Sequence, residues 1–135
     1  MTETISVTGF VATDPKVNTT TSDLNITSFR MASVGRRFNK ETARWEDTQP
    51  NWFSVHCFRT LADHAAQSIA KGDRIIVRGR LKIRDWDNGE RHGTAVEIEA
   101  ESLGHDLMFG ISSFERTTHT PDTEEEESEA ELQPA

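Results

Sequence analysis

Apolar and polar side chains alternate with a period of two through most of the first hundred residues, the pattern of strands that bury one face. The longest such run is Arg74 to Trp86. Its odd positions, Ile75, Val77, Gly79, Leu81 and Ile83, make one apolar face. Its even positions place Arg74, Arg78, Arg80, Lys82 and Arg84 on the other, which ends in Trp86. Gly79 weakens a flat strand at its middle but permits the sharp bend of a small barrel. Solvated strand faces ordinarily mix the two signs of charge, whereas no carboxylate interrupts this row before Asp85. Five like charges repel one another in the free protein, so a polyanion laid across them is the expected occupant.

The flanking chain supplies further strands. Ile5, Val7, Gly9 and Val11 alternate with Ser6, Thr8 and Phe10 in a first strand, followed by a turn at Asp14-Pro15. Residues 16–23 are polar and rich in threonine, a hairpin connection. In a second strand reaching about Val34, Leu24 and Ile26 share one parity while Phe29 and Met31 take the other, a shift that predicts a bulge. Residues 35–51 form a long polar loop or extended hairpin carrying Arg36, Arg37, Phe38, Lys40, Arg44 and Trp45. A loop of that size in a compact domain is usually functional or disordered.

Trp52 to Phe58 is a third strand, with Phe53, Val55 and Cys57 on one face and Trp52, Ser54, His56 and Phe58 on the other. A core needs only one of these faces, so the aromatic pair is surplus to it. A helix follows, with Thr60 as its cap, Asp63 in its first turn and Gly72 at its end. Leu61, Ala65 and Ile69 form a narrow stripe beside Ala62 and Ala66, which suits a helix that plugs a core. After the basic strand, Asp87-Asn88-Gly89-Glu90 makes a hairpin turn. Val96, Ile98 and Ala100 then alternate with Glu97, Glu99 and Glu101 in a last strand, Thr94 to Leu103, with an anionic outer face. Three strands, one helix and two strands, with glycines inside the first and fourth, give an all-β fold: a five-stranded Greek-key barrel of the OB type.

Charge divides the chain further. The full chain of 135 residues carries a formal charge of −8 and is 34% hydrophobic, below the usual share for a packed domain, so part of it lies outside any core. Residues 30–84 hold 12 basic and 5 acidic side chains, whereas residues 117–135 hold 7 acidic ones and no Lys or Arg. Those last residues, with Glu124 to Glu127 unbroken, read as a disordered acidic tail. Residues 1–103 make the domain. Residues 104–116, with Leu107, Phe109, Ile111 and Phe114, are too apolar for a linker and suit an extra strand or a clamp between subunits. Cys57 is the only cysteine, so neither an intrachain disulfide nor a thiolate metal cluster forms, as expected of a reducing cytosol. No signal-like start and no membrane-length apolar run is present, which places the protein in the cytoplasm.

Catalysis finds little support. His56, His64, His92, His105 and His119 are scattered without a ligand spacing, Asp85, Asp87 and Glu90 flank a turn, and no glycine loop for phosphate occurs. The buried parity of Cys57 suits an inert thiol. No metal or other cofactor is expected.

From Trp52 through the helix to Lys71-Gly72-Asp73-Arg74, and on to Gly79-Arg80-Leu81-Lys82 and Trp86, the chain resembles the bacterial single-stranded DNA-binding proteins. The first strand and the Asp14-Pro15 turn share the likeness, which covers residues 3–103. The resemblance implies an OB fold, a homotetramer and single-stranded DNA wrapped over its outside, close to the nucleoid. It places stacking aromatics at Trp52, Phe58 and Trp86. A further stacking position falls in the loop after the second strand, at Phe38 or, after a one-residue length change, at Trp45. Arg36, Arg37, Arg59, Arg78, Arg80, Lys82 and Arg84 are the expected phosphate contacts. Stacking holds bases of any identity, and cations neutralise phosphates with release of counterions. Protection of single strands in replication, recombination and repair, without catalysis, is the function this implies. An OB-type adaptor for a protein partner or a structured RNA is the alternative. The family's tail commonly ends in acidic residues and Pro-Phe, whereas this chain ends Glu-Leu-Gln-Pro-Ala. Recruitment of proteins through the tail is therefore not expected, and a secondary, specialised paralogue is.

The acidic tail and the basic middle are opposite in sign, so the tail competes with DNA for the same cations. Removing residues 117–135 should tighten binding of an oligothymidine, most at low salt and less as the Debye length shrinks to about 8–10 Å. Equal affinities of full-length and shortened protein at the lowest salt would show that the tail does not visit the groove.

Overall fold

The computed structural model describes residues 3–117. Five strands close a barrel: β1 (Thr4–Val11), β3 (Asn25–Ser33), β6 (Asn51–Phe58), β7 (Arg74–Asp87) and β8 (His92–His105). Around it they run β1-β7-β8-β6-β3, and β1 pairs with β3 to complete the circle. All the pairings are antiparallel except β6 with β8. This is the expected five-stranded Greek-key barrel, with three barrel strands before the helix α1 (Arg59–Ser68) and two after it.

Closure depends on two glycines. β1 must pair with β3 at one end and with β7 along its length. At Gly9 a Cβ would stand 2.3 Å from the Ala32 carbonyl oxygen. At Gly79 it would stand 2.1 Å from the carbonyl oxygen of Glu99, beside the register shift between Arg78 and Gly79. Only hydrogen fits at these approaches, as expected of glycines inside bent barrel strands.

The core is the inner parity of each strand: Val11, Phe29, Met31, Val55, Cys57, Ile75, Val77 and Ile98, capped by Ala62, Ala65 and Ile69 of the helix segment. Desolvation pushes the Cys57 thiol up to about 11, so it is neutral at physiological pH. Thr27 is the one buried polar side chain among the described residues, and its hydroxyl donates to the Ala62 carbonyl at 2.7 Å. The Asn25 amide donates to Asp63 at 2.9 Å. These two bonds fasten the helix to the start of β3.

Several local expectations are corrected. β3 carries no bulge: it pairs with β6 in unbroken register from Ile26↔Phe58 to Ser33↔Asn51. Thr27 continues the inner parity of Phe29 and Met31, which leaves Ile26 on the outside. Residues 16–23 are not merely a connection, since β2 (Lys16–Thr19) pairs with β3. Phe58, not Thr60, holds the cap position of α1, without a side-chain cap, and the helix ends at Ser68, ahead of the Gly72 turn. Asp63 lies beyond the first turn. Ile83 is exposed although its parity is apolar, because pairing with β1 stops at Thr4↔Arg80 and the β7–β8 ribbon runs on alone. Residues 107–117 form no strand, and Leu107, Phe109, Ile111 and Phe114 are exposed. The expected acidic tail, beyond Thr117, lies outside the described residues.

Gly79→Ala should therefore destabilise the barrel by about 1–3 kcal/mol, the range of an overpacked site. Denaturant unfolding of parent and variant side by side checks this, and an unchanged midpoint would show that β7 and β8 can part without cost.

Candidate nucleic-acid interface

The outer parity of β6 presents Trp52, Ser54, His56 and Phe58, because Phe53, Val55 and Cys57 face inward. Trp52 is 46% exposed. The Arg30 guanidinium lies over its ring at 4.9 Å from the centroid, a cation–π contact that supports one face of the indole. Phe58 is half-buried at the other end of the strand, across from Ile26 of β3. Six residues separate the two aromatics, about 20 Å along a strand.

Trp86 extends the same outer face along β7, is also 46% exposed, and pairs across the ribbon with Gly93. A Cβ on Gly93 would touch the indole at 2.9–3.1 Å. The missing side chain therefore lets the ring lie against the β8 backbone. β6 and β8 are parallel, with Ser54 beside Glu97, so the Trp52 end of β6 adjoins the end of the ribbon that carries Trp86.

Residues 35–51, read from the sequence as a loop or extended hairpin, form a hairpin of β4 (Arg36–Asn39) and β5 (Arg44–Asp47). It extends from the paired ends of β3 and β6 and packs against no other element among the described residues. Bonds between Gly35 and Thr48 close its neck. Phe38 and Trp45 are directly opposed in its register, with ring centroids 5.6 Å apart, and are 45% and 61% exposed. The two alternatives for one stacking position thus form a single aromatic pair.

The cations are arranged differently from the expectation. Arg78, Arg80, Lys82 and Arg84 are all exposed on the outer face of β7, but the carboxylates that this strand lacks are supplied by β8. Arg84 Nη2 lies 2.6 Å from Glu97 Oε1, and Lys82 Nζ lies 3.1 Å from Glu99 Oε1. Glu101 receives Arg80 at 3.4 Å and Arg78 at 3.9 Å. Arg74 leaves the row altogether, with its guanidinium between the rings of Phe10 and Phe109. The row of like charges is therefore a ladder of ion pairs. Arg36 makes only a long exposed contact to Asp47, at 3.6 Å, and Arg37 and Arg59 are exposed without an ion pair among the described residues.

Three contributors escaped the sequence reading. Arg30 was legible, since it lies between the core residues Phe29 and Met31 and so points outward. Gly93 was not, because its value depends on lying opposite Trp86. His56 joins β3 and β8 through Ser28 Oγ at 2.8 Å and Glu97 at 3.9 Å, a link that no local pattern announces.

The fold and its aromatic outer face define an oligonucleotide-binding barrel. Residues 2–106 match the model of the single-strand binding protein family. Single-stranded DNA-binding protein 2 of Tropheryma whipplei is 48% identical over 112 residues, 83% of this chain and 74% of that protein. The single-stranded DNA-binding protein of Corynebacterium glutamicum is 38% identical over 114 residues, 84% of this chain and 51% of that one. The crystal structure of a small single-stranded DNA-binding protein from Streptomyces coelicolor has a TM-score of 0.73 at 35% identity, covering 81% of this chain and 98% of that one. The chain belongs to the single-strand binding protein family. It is accordingly a binding protein and not an enzyme.

Trp52→Ala, Phe58→Ala and Trp86→Ala should each weaken single-strand binding by about 1–3 kcal/mol, with little dependence on base composition. Phe38→Ala and Trp45→Ala should be non-additive, because the two rings touch. Fluorescence or anisotropy titration of folded variants checks both. Parent-like binding by all the single variants would remove this path.

Proposed function

We propose that the protein binds and protects single-stranded DNA without reading its sequence, in the cytoplasm beside the nucleoid, during replication, recombination and repair. The observation that carries this is the set of exposed rings, Trp52 and Trp86 on the outer strand parity and the Phe38–Trp45 pair on the projecting hairpin. Rings have no reason to be open to water on a face that packing does not use, whereas unpaired bases of any kind stack on them. Duplex DNA hides its base faces, so the same surface discriminates against it. The strand runs from Phe58 past Trp52 to the β4–β5 hairpin and Trp86. Arg30, Arg36, Arg37 and Arg59 lie along it as phosphate partners, and the β7 cations are available where their carboxylates give way.

A homotetramer accompanies this reading. Leu107, Met108, Phe109, Ile111 and Phe114 are all exposed in one protomer, and an apolar run of this kind is ordinarily covered by a partner surface. Residues 104–116 then clamp subunits by contacts between copies.

Titration of tryptophan fluorescence with oligothymidine tests the function: saturable quenching that persists across base compositions is expected. Binding of a structured RNA or a protein, with none of oligothymidine, would instead favour the adaptor. Sedimentation equilibrium should give four protomers at micromolar concentration. A stable monomer would end the assembly proposal, and unchanged assembly after truncation at Gly104 would remove the clamp.

A further inference from the structure

The ion-pair ladder between β7 and β8 has a consequence for what the surface refuses. Every cation from Arg78 to Arg84 faces a carboxylate of Glu97, Glu99 or Glu101. Glu97 is the most buried of the three: its side chain is only 13% exposed, bonded by Arg84 and facing His56 Nε2. Glu101 sits in the stretch of β8 between the partners of Arg78 and Gly79, Ser102 and Ala100, and so reaches two arginines. The four cations themselves remain 57–68% exposed, open to a ligand from the solvent side.

We propose that Glu97, Glu99 and Glu101 are selectivity residues, a carboxylate row that keeps the β7 cations from acting as a general polyanion site. A phosphate reaching Lys82 or Arg80 exchanges one anion for another instead of meeting a bare cation. The exchange releases fewer counterions than neutralisation of a free cation does, so the gain per phosphate is small. A single strand adds stacking on the aromatics and still binds. A duplex, or any polyanion without unpaired bases, has only its charge to offer and is disfavoured. This inference rests on the single-strand reading above and deepens it.

The test uses the full chain with Glu99→Gln and Glu101→Gln, alone and together, each an isosteric loss of charge at a partly exposed position. The probes are an oligothymidine, a duplex of equal length and inorganic polyphosphate. Duplex and polyphosphate affinities should rise by a larger factor than oligothymidine affinity. The gain on lowering salt fourfold should grow by about threefold for each cation set free, from a slope change of about 0.7–0.9. Lys82→Ala provides a second arm: the factor it costs in polyphosphate affinity should be several-fold larger in the Glu99→Gln background than in the parent, where Glu99 already pairs with Lys82. Variants whose affinities, salt slopes and duplex-to-single-strand ratio equal those of the parent, or that bind all three probes more weakly while folded, would overturn the proposal. Parent affinity for oligothymidine reports the single-strand reading, whereas the parent-to-variant change on polyphosphate reports this one, so the two fail separately.

Discussion

The close approach of backbones at Gly9 and Gly79 is the constraint on which the other features depend. In each case a carbonyl oxygen of the neighbouring strand occupies the place of a Cβ. With hydrogen at both positions, β1 reaches β3 on one side and β7 on the other, and the sheet becomes a barrel. Closure removes the freedom of register. A slip of one residue would send Ile75 and Val77 to water and Arg78 and Arg80 into the core, so every face is decided together. The exposure of Trp52 follows from this closure, and Trp86 carries the same outer parity out along the β7–β8 ribbon beyond it.

A stacking platform needs one ring face open and the other supported. Each aromatic finds its support by a different route. Trp52 has the Arg30 guanidinium over its ring. Trp86 lies against the β8 backbone because Gly93 leaves it room. Phe38 and Trp45 support each other across a hairpin that packs on nothing else among the described residues. Trp52 is therefore placed by the barrel and Trp86 by the β7–β8 ribbon that extends from it. The pair is placed by its own hairpin and by the neck at Gly35 and Thr48, with no barrel element packed against it among the described residues.

Much of this was legible in the alternation of residue types, because parity is a local property. The core of β6 and β7, the outward aromatics, the anionic face of β8 and the barrel glycines could all be read from single strands. What failed required a neighbour. Thr27 is inside because the Ala62 carbonyl accepts its hydroxyl. A polar residue at a core position made the apolar Leu24 and Ile26 look like the inner face, with a bulge to reconcile them. The β7 row looked unopposed because it was read alone. The turn at Asp87–Glu90 makes β8 its neighbour, and counting back from that turn sets Lys82 against Glu97 and Arg80 against Glu99. The alternating apolar residues near Phe109 suggested a strand, yet among the described residues no strand edge receives them.

Charge and stacking contribute differently on such a surface. An exposed ion pair is worth about 0–1 kcal/mol and weakens with salt, whereas a stacked base is worth about 1–3 kcal/mol. A face built only from free cations would bind any polyanion, and the duplex, with its denser phosphates, would compete strongly. In this barrel the strand richest in cations is the one whose cations are already paired. The rings near Arg30 and on the β4–β5 hairpin stand where the carboxylate ladder does not reach. The balance of the surface is thereby moved from attraction that every nucleic acid shares to contact that only unpaired bases can make.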